Sequence, residues 1–520
     1  MLTRSNNAAP DGAAEIASAN SSATTLEDLR LRTVPLEMQP EEFRALGHRT
    51  VDRIADFLLT LRQRPVAPAE TPAAVRAALG GGGLPERGSD AGALLEEAAS
   101  LVIEHSLLNG HPRFWAYITS SAAPIGALGD LLAAAVNPNL GGWDLSPMAS
   151  EVEAQTVRWI AELIGYPTTA GGLLVSGGNM ANFVCFLAAR RARAGWDVRD
   201  SGLAAGPPLR LYASAETHTW VQKAADLYGL GTDAIRWIPV DAQRRMDMPA
   251  LAEAVAQDEA AGARPFLVVG TAGTVSTGAI DPLPEIAAFC RQKGLWFHVD
   301  GAYGGFAAAL PGAPADLKAL ALADSVAVDP HKWLYAPLEA GCALVRERQA
   351  LLDAFSYHPA YYQYSAHEEE TSNFHELGPQ NSRGFRALKV WLGLRQAGRQ
   401  GAVRMMEDDV RLAEELFRLV GQEPELEPAT LGLSITTFRF VPLDLRGTAS
   451  AEPYLNELNT ALMERLRASG QAWLSNAVVN ERFLLRTCIV NFRTTLEDIQ
   501  ALPPLAVALG RELDVELRAG

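Results

Sequence analysis

Four cysteines in 520 residues, with no CxxC pair and no Cys/His ligand spacing, exclude a disulfide-stapled scaffold and a zinc module. Cys185, Cys290, Cys342 and Cys488 each stand in apolar surroundings and read as buried, reduced thiols of a cytoplasmic protein. Basic residues are also in deficit. Lys+Arg 45 against Asp+Glu 61 leaves a formal net charge of −16, a field that repels nucleic-acid backbones and anionic membranes. No apolar run reaches the roughly 18 to 20 residues that a bilayer crossing needs. The opening "MLTRSNNAAPDGAAEIASANSSATT" lacks the apolar centre of a signal peptide and reads as a disordered tail over residues 1–35. Internal repeats and heptads are missing too.

What is present is a chain long enough for one large domain and one or two smaller ones. Phe43, Gly47, Val51, Ile54, Leu58 and Leu61 recur at steps of three and four, which predicts an amphipathic helix stopped by Pro65. Gly80 to Gly83 read as a linker or a turn, with a further helix expected from Asp90 to about His105, so that 36–105 reads as a helical segment. From Glu151 to Arg346 helical stretches alternate with the short apolar runs "LLV", "LRLYAS", "PFLVVG", "LWFHVD", "SVAVD" and "CALV". That alternation predicts an α/β domain over 106–397, a mostly parallel sheet flanked by helices. Residues 398–520, with "LSITTFRFVP" and "RFLLRTCIVNFRTT" separated by a helix, read as a small α+β domain.

Three polar clusters fall at expected strand ends, where open α/β sheets bind ligands. "LLVSGGNMANF" is strand, two glycines, then a helix start, an arrangement that can cradle an anion. "WFHVDGAYGG" brings Asp300 out of an apolar strand, and "VDPHKWLY" does the same for Lys332. An anion site, a carboxylate for a protonated ring nitrogen and an amine for a Schiff base are what pyridoxal phosphate requires of a protein. Taken alone, each has a plainer reading: a strand–helix turn, a helix cap and a surface lysine.

In this order the motifs resemble those of the group II pyridoxal-phosphate decarboxylases, in particular the aromatic-L-amino-acid decarboxylases. "HPRFWAY", "WDLSPMASEVE", "TAGTVSTGAIDP", "HVDGAYGG", "DPHKWLY" and "SRGFRALKVWLGLRQAG" carry the resemblance, which extends over about Leu36 to Val507. It implies the aspartate-aminotransferase-like fold type I, pyridoxal 5'-phosphate as cofactor, and a homodimer in which the N-terminal helices wrap around the partner. It further implies that Lys332 is the Schiff-base lysine, Asp300 the partner of the pyridine nitrogen, Ala302 the small residue beneath the ring and His218 the ring stacked above it. Thr271 is implied beside the cofactor, Gly178 and Asn179 in the phosphate turn, and His331 next to the lysine, against cofactor or substrate carboxylate. Tyr117 and Ser120 are implied in the substrate pocket, and Tyr361 as the lid tyrosine that protonates Cα, with Tyr362 the neighbouring candidate.

The chain departs from the family at three places. Asn179 stands where Ser or Thr is usual, and Asp329 stands where Asn is usual. An acid beside a phosphate is unfavourable unless it is protonated or turned to another donor. Gly141 and Gly142 replace residues that include a pocket aromatic, which is expected to leave space and keeps open an acidic or diamino substrate such as glutamate or 2,4-diaminobutyrate. An aldehyde synthase of the same family is a second alternative, and a cofactor-free binding protein on the same fold a third. The expected reaction is decarboxylation of an aromatic L-amino acid to its amine.

Overall fold

The computed structural model describes residues 30–32, 34–358 and 371–519. They pack as two compact units, one from the described part of Met1–Thr60 with Glu70–His105, the other from Leu61–Ala69 with the described part of Ser106–Gly520.

The larger unit is built on seven strands: β1 (Gly171–Val175), β2 (Leu209–Ser214), β3 (Ile235–Ile238), β4 (Arg264–Thr271), β5 (Trp296–Asp300), β6 (Ser325–Val328) and β7 (Gly341–Val345). They lie in the order β1-β7-β6-β5-β4-β2-β3. Pairing is parallel from β6 through β3, and β7 runs antiparallel to both β1 and β6. Strands β5 and β6 are buried at every residue, which is why they read as short, mainly apolar runs. Alternate residues feed two cores: Leu174, Val268, Val299 and Leu344 on one face, Leu173, Val269, Ala327 and Ala343 on the other. The β3 edge was not apparent in the sequence, because "IRWI" is four residues long with Arg236 and Trp237 facing partly outward.

Register fixes where the site lies. Thr271 pairs with Asp300, and Asp300 with Ala327, so β4, β5 and β6 finish side by side. A second sheet, β8 (Leu426–Gly432), β9 (Ile435–Phe440), β10 (Ser475–Val479) and β11 (Arg482–Cys488), is wholly antiparallel in the order β10-β11-β9-β8. The helices Glu452–Ala468 and Leu496–Ala519 pack with it around a core that includes Leu458, Leu462, Leu485 and Leu502. The helix Ala387–Gln422 links the two sheets, and Gly398 at φ 63° and ψ 172° breaks its path. The expected division between residues 397 and 398 lies within this one compact unit.

In the smaller unit, helices Pro40–Thr60 and Ala91–Glu104 pack together, the latter capped by Asp90, whose carboxylate accepts from Ala93 N at 2.8 Å. Phe43, Val51 and Ile54, on the stripe expected to be apolar, are exposed. Among the described residues no helix is long and apolar enough to cross a membrane.

Candidate active site

Lys332 follows β6 in a tight turn, in which its N–H donates to Asp329 O at 2.9 Å and its carbonyl accepts from Tyr335 N at 3.1 Å. The aromatic residues on either side of Leu334 anchor that turn from behind. Trp333 Nε1 and Tyr335 OH both donate to Asp409 Oδ2, at 3.2 and 2.7 Å. Burial pushes the Asp409 carboxyl up to about 8, against the three donors that favour its anion. With Trp333 held inward, Lys332 reaches the cavity, its Nζ 3.1 Å from Asp329 Oδ2.

Asp300 closes β5 with both oxygens engaged. Oδ2 accepts from Trp220 Nε1 at 2.7 Å and Oδ1 from Ala302 N at 3.1 Å. His218 Nδ1 accepts from Trp220 N at 3.3 Å. Burial lowers the affinity of His218 for a proton, while the Asp300 carboxylate pulls the other way. Behind Asp300 on the same strand, His298 bridges Ser325 Oγ (2.9 Å) and Asn182 Oδ1 (2.7 Å), and burial depresses its pKa to about 4.

The glycine turn after β1 faces these groups. Gly177, at φ +88°, precedes the helix Gly178–Arg193. A Cβ at Gly178 would lie 2.6 Å from Asp329 Oδ2, and one at Gly177 would lie 3.2 Å from His331 Cε1. The backbone therefore approaches closer than any side chain would allow. His331 Nδ1 accepts from Ala340 N at 3.2 Å, which assigns its proton to Nε2, 3.6 Å from Asp329 Oδ2. Its burial lowers its pKa. Thr271 is fixed by Asp281, which accepts from Thr271 N at 2.8 Å and Met246 N at 2.7 Å, and whose burial raises its pKa to about 6.

Lys332, Asp300, His218, Ala302, Thr271, Gly178, Asn179 and His331 thus line one cavity of about 330 Å³. The two residues expected in the substrate pocket do not line it. The Ser120 hydroxyl donates to His331 O at 2.7 Å, and Tyr117 is exposed at φ 52°, its carbonyl accepting from Arg486 at 3.0 Å. Ile118, between them, lines the cavity instead. Tyr361 and Tyr362 lie outside the described residues. The space expected at Gly141 is filled, since a Cβ there would overlap the Asn381 carbonyl, and Gly141 O accepts from His375 N at 2.9 Å. Trp220, Asp409 and the Asn182–His298–Ser325 chain were not found from sequence, where only the closeness of Trp220 to His218 hinted at a shared role.

These residues fit pyridoxal phosphate. The glycine cradle at a helix start would suit the phosphate, a carboxylate held by two donors would suit the pyridine nitrogen, and Lys332 brings an amine of the kind a Schiff base requires to the same cavity. The cavity is within the usual size range for cofactor sites, about 300 to 1,000 Å³.

The sequence model of the pyridoxal-dependent decarboxylase conserved domain matches residues 79–440. The aromatic-L-amino-acid decarboxylase of Bacillus atrophaeus is 33% identical over 484 residues, 92% of this chain and 98% of the relative. Tyrosine decarboxylase 2 of Arabidopsis thaliana is 30% identical, covering 87% and 84% of the two chains. Among solved structures, Oryza sativa TDC with PLP and tryptamine superposes with a TM-score of 0.86 at 28% identity, over 93% of this chain and all of the other. With its cavity equipped for the cofactor and the family's domain spanning most of its length, the chain belongs to the pyridoxal-dependent decarboxylases and is a pyridoxal-phosphate enzyme acting on an amino acid.

Proposed function

We propose that the enzyme decarboxylates an aromatic L-amino acid to the corresponding amine. The observation that carries the reading is the convergence of Lys332, Asp300 and His218 on one cavity. The near end-to-end likeness to an aromatic-L-amino-acid decarboxylase supports the substrate class, and Ile118 and Val275 give the cavity apolar wall for a ring.

In this reading Lys332 Nζ binds the cofactor and exchanges with the substrate amine. Bound pyridoxal phosphate supplies the sink for the electron pair left on Cα when carbon dioxide departs. Asp300, held by Trp220 and Ala302 N, keeps a proton on the ring nitrogen, because an opposite charge at close range favours the protonated form by about one to three pKa units. Ala302 and His218 are assigned to the two ring faces, Gly178 and Asn179 to the phosphate, and Thr271 to the cofactor's edge. His331 Nε2 is the donor available to a carboxylate, and Ser120 positions it through the His331 carbonyl. Tyr361 is assigned proton delivery to Cα on the resemblance alone. A positioned acid of this kind typically contributes about 10² to 10⁴-fold.

We further propose a cytoplasmic homodimer. The buried free cysteines suit a reducing compartment. Apolar side chains stand exposed on helix Pro40–Thr60 (Phe43, Leu59) and on helix Pro124–Val136 (Leu128, Leu131, Leu132, Val136). Tyr117 remains a substrate contact only if a second copy completes the site. Light scattering of the holoenzyme should give twice the chain mass of 55.8 kDa.

Product mass spectrometry with separate aromatic, acidic and diamino L-amino acids, with peroxide assayed alongside, tests the reaction. Amine from an aromatic substrate without stoichiometric peroxide, abolished in Lys332→Ala, is the expected result. Aldehyde with peroxide would make the enzyme an aldehyde synthase, and turnover of glutamate or diaminobutyrate alone would overturn the substrate class.

A further inference from the structure

Asn182 lines the cavity but has no part in the assignments above. It stands one turn after Gly178 on the helix Gly178–Arg193, on the same face, since residues four apart share a side of a helix. Helical Cα–Cβ bonds tilt toward the N-terminus, so its side chain leans back toward the glycine cradle. The residue is 1% exposed, and its amide is held at one end only, where Oδ1 is 2.7 Å from His298 Nε2.

A chain of hydrogen bonds fixes which way that amide points. Trp296 Nε1 donates to Ser325 Oγ at 2.8 Å, and Ser325 Oγ lies 2.9 Å from His298 Nδ1. Burial keeps the His298 ring neutral, with a single proton. An amide oxygen cannot donate, so that proton is on Nε2 and the Ser325 hydroxyl supplies the donor to Nδ1. Every proton in the chain is then used. Asn182 is left with Nδ2, which has no hydrogen-bond partner among the described residues and yet is not among the side-chain nitrogens sealed from solvent. It opens on the cavity that Asn182 lines. A nearly buried donor without a partner calls for an acceptor carried by the ligand.

The surroundings narrow what that acceptor is. His298 and Asp300 are two apart on β5 and share a face of the sheet, so Asn182 is tied to both the element that starts with the glycine cradle and the one that ends in Asp300. A ring nitrogen kept protonated by Asp300 is itself a donor and cannot take the amide N–H. A phosphate ester, charged and rich in acceptor oxygens, can.

We propose that Asn182 is a further cofactor-binding residue, whose Nδ2 donates to an oxygen of the cofactor's phosphate ester. The proposal rests on the cofactor assignment above. It extends the phosphate site from the backbone turn at Gly178 to a side chain one helical turn further on. The bonds running from Trp296 through Ser325 and His298 set the N–H before the ligand arrives.

The test compares pyridoxal 5'-phosphate with pyridoxal, which has the same ring and aldehyde and no phosphate. Apoenzyme is titrated with each, and binding is read from the absorbance of the Schiff base on Lys332. Loss of a hydrogen bond to a charged group should weaken pyridoxal phosphate by about ten- to a hundredfold in Asn182→Ala, while pyridoxal affinity stays within about twofold of wild type. Asn182→Asp keeps an acceptor for His298 but replaces the donor with an anion, and should weaken pyridoxal phosphate at least as much. Equal loss for both ligands places the amide on the ring and overturns the phosphate assignment, as does unchanged binding of both. If neither variant folds, a crystal structure of the wild-type holoenzyme decides. Nδ2 within about 3.2 Å of a phosphate-ester oxygen is expected, and Nδ2 turned to any other partner overturns the proposal. Wild-type protein that gives no Schiff-base absorbance with pyridoxal phosphate, and no borohydride-trapped adduct on Lys332, overturns the cofactor site itself and the proposal with it.

Discussion

Trp220 Nε1 donates to Asp300 Oδ2 at 2.7 Å, and the backbone N–H of the same tryptophan donates to His218 Nδ1 at 3.3 Å. One residue thereby orients the two side chains assigned to the cofactor's ring nitrogen and ring face. Trp220→Phe keeps most of the buried volume but removes the donor to Asp300. A hydrogen bond to a charged group contributes about 1.5 to 3 kcal/mol, so the cofactor should bind the variant at least about tenfold more weakly in a titration of the apoenzyme. An affinity within twofold of wild type would show that Ala302 N alone suffices to hold Asp300.

The sequence reveals some of these relationships and hides others for a physical reason. "LWFHVD" is legible as a strand ending in an acid because both faces of β5 are buried. The bond from Trp220 to Asp300 crosses 80 residues of chain, and no periodicity encodes it. Gly177 and Gly178 are legible as a turn, but the groups they make room for, Asp329 and His331, arrive from the end of β6. Motif resemblance placed Tyr117 and Ser120 near the site. It could not set which way they face, because the stretch is neither helix nor strand and has no fixed side-chain alternation.

Gly141 carries a second prediction. Loss of an aromatic there was expected to leave room, yet the Asn381 carbonyl occupies the position a Cβ would take, and His375 N bonds to Gly141 O at 2.9 Å. Overpacking of this kind costs about 1 to 3 kcal/mol. Gly141→Ala should lower the urea midpoint accordingly, and Gly141→Phe should fail to fold. A stable Gly141→Phe enzyme with faster turnover of aromatic substrates would show that the room exists after all.

Asp409 should make the protein progressively less stable as pH rises from about 4 to about 8. Burial raises its folded-state pKa to about 8, well above an unfolded carboxyl, so the folded state holds this proton more tightly. The associated stability is fully present below the unfolded value, near 3.9, and is lost as pH rises through about 8. Asp409→Asn cannot titrate, and its amide oxygen can still accept from Trp333 and Tyr335. Urea unfolding of both proteins between about pH 6 and 8 should show the variant gaining on wild type by roughly 2 kcal/mol. Parallel curves would mean that Asp409 is ionised throughout, satisfied by its three donors.

His298 should act in the opposite direction and in a lower pH window. Burial depresses its pKa to about 4, against the pull of Asp300, so it stays neutral in the folded protein while an unfolded histidine takes a proton below about 6.5. Its neutral ring, bonded to Ser325 and Asn182, is therefore stabilising above that value. The contribution is lost as pH falls from about 6.5 toward 4, at roughly 1.4 kcal/mol per unit. His298→Gln removes the titration and also breaks the bridge, so it should be less stable than wild type at pH 7. The gap should close by about 2 kcal/mol on acidification to pH 5, read from urea midpoints at each pH. A gap that stays constant would mean that His298 takes up its proton in the folded state over the same pH range as in the unfolded chain, and the bridge between Ser325 and Asn182 would then have to accommodate a charged imidazole at pH 5.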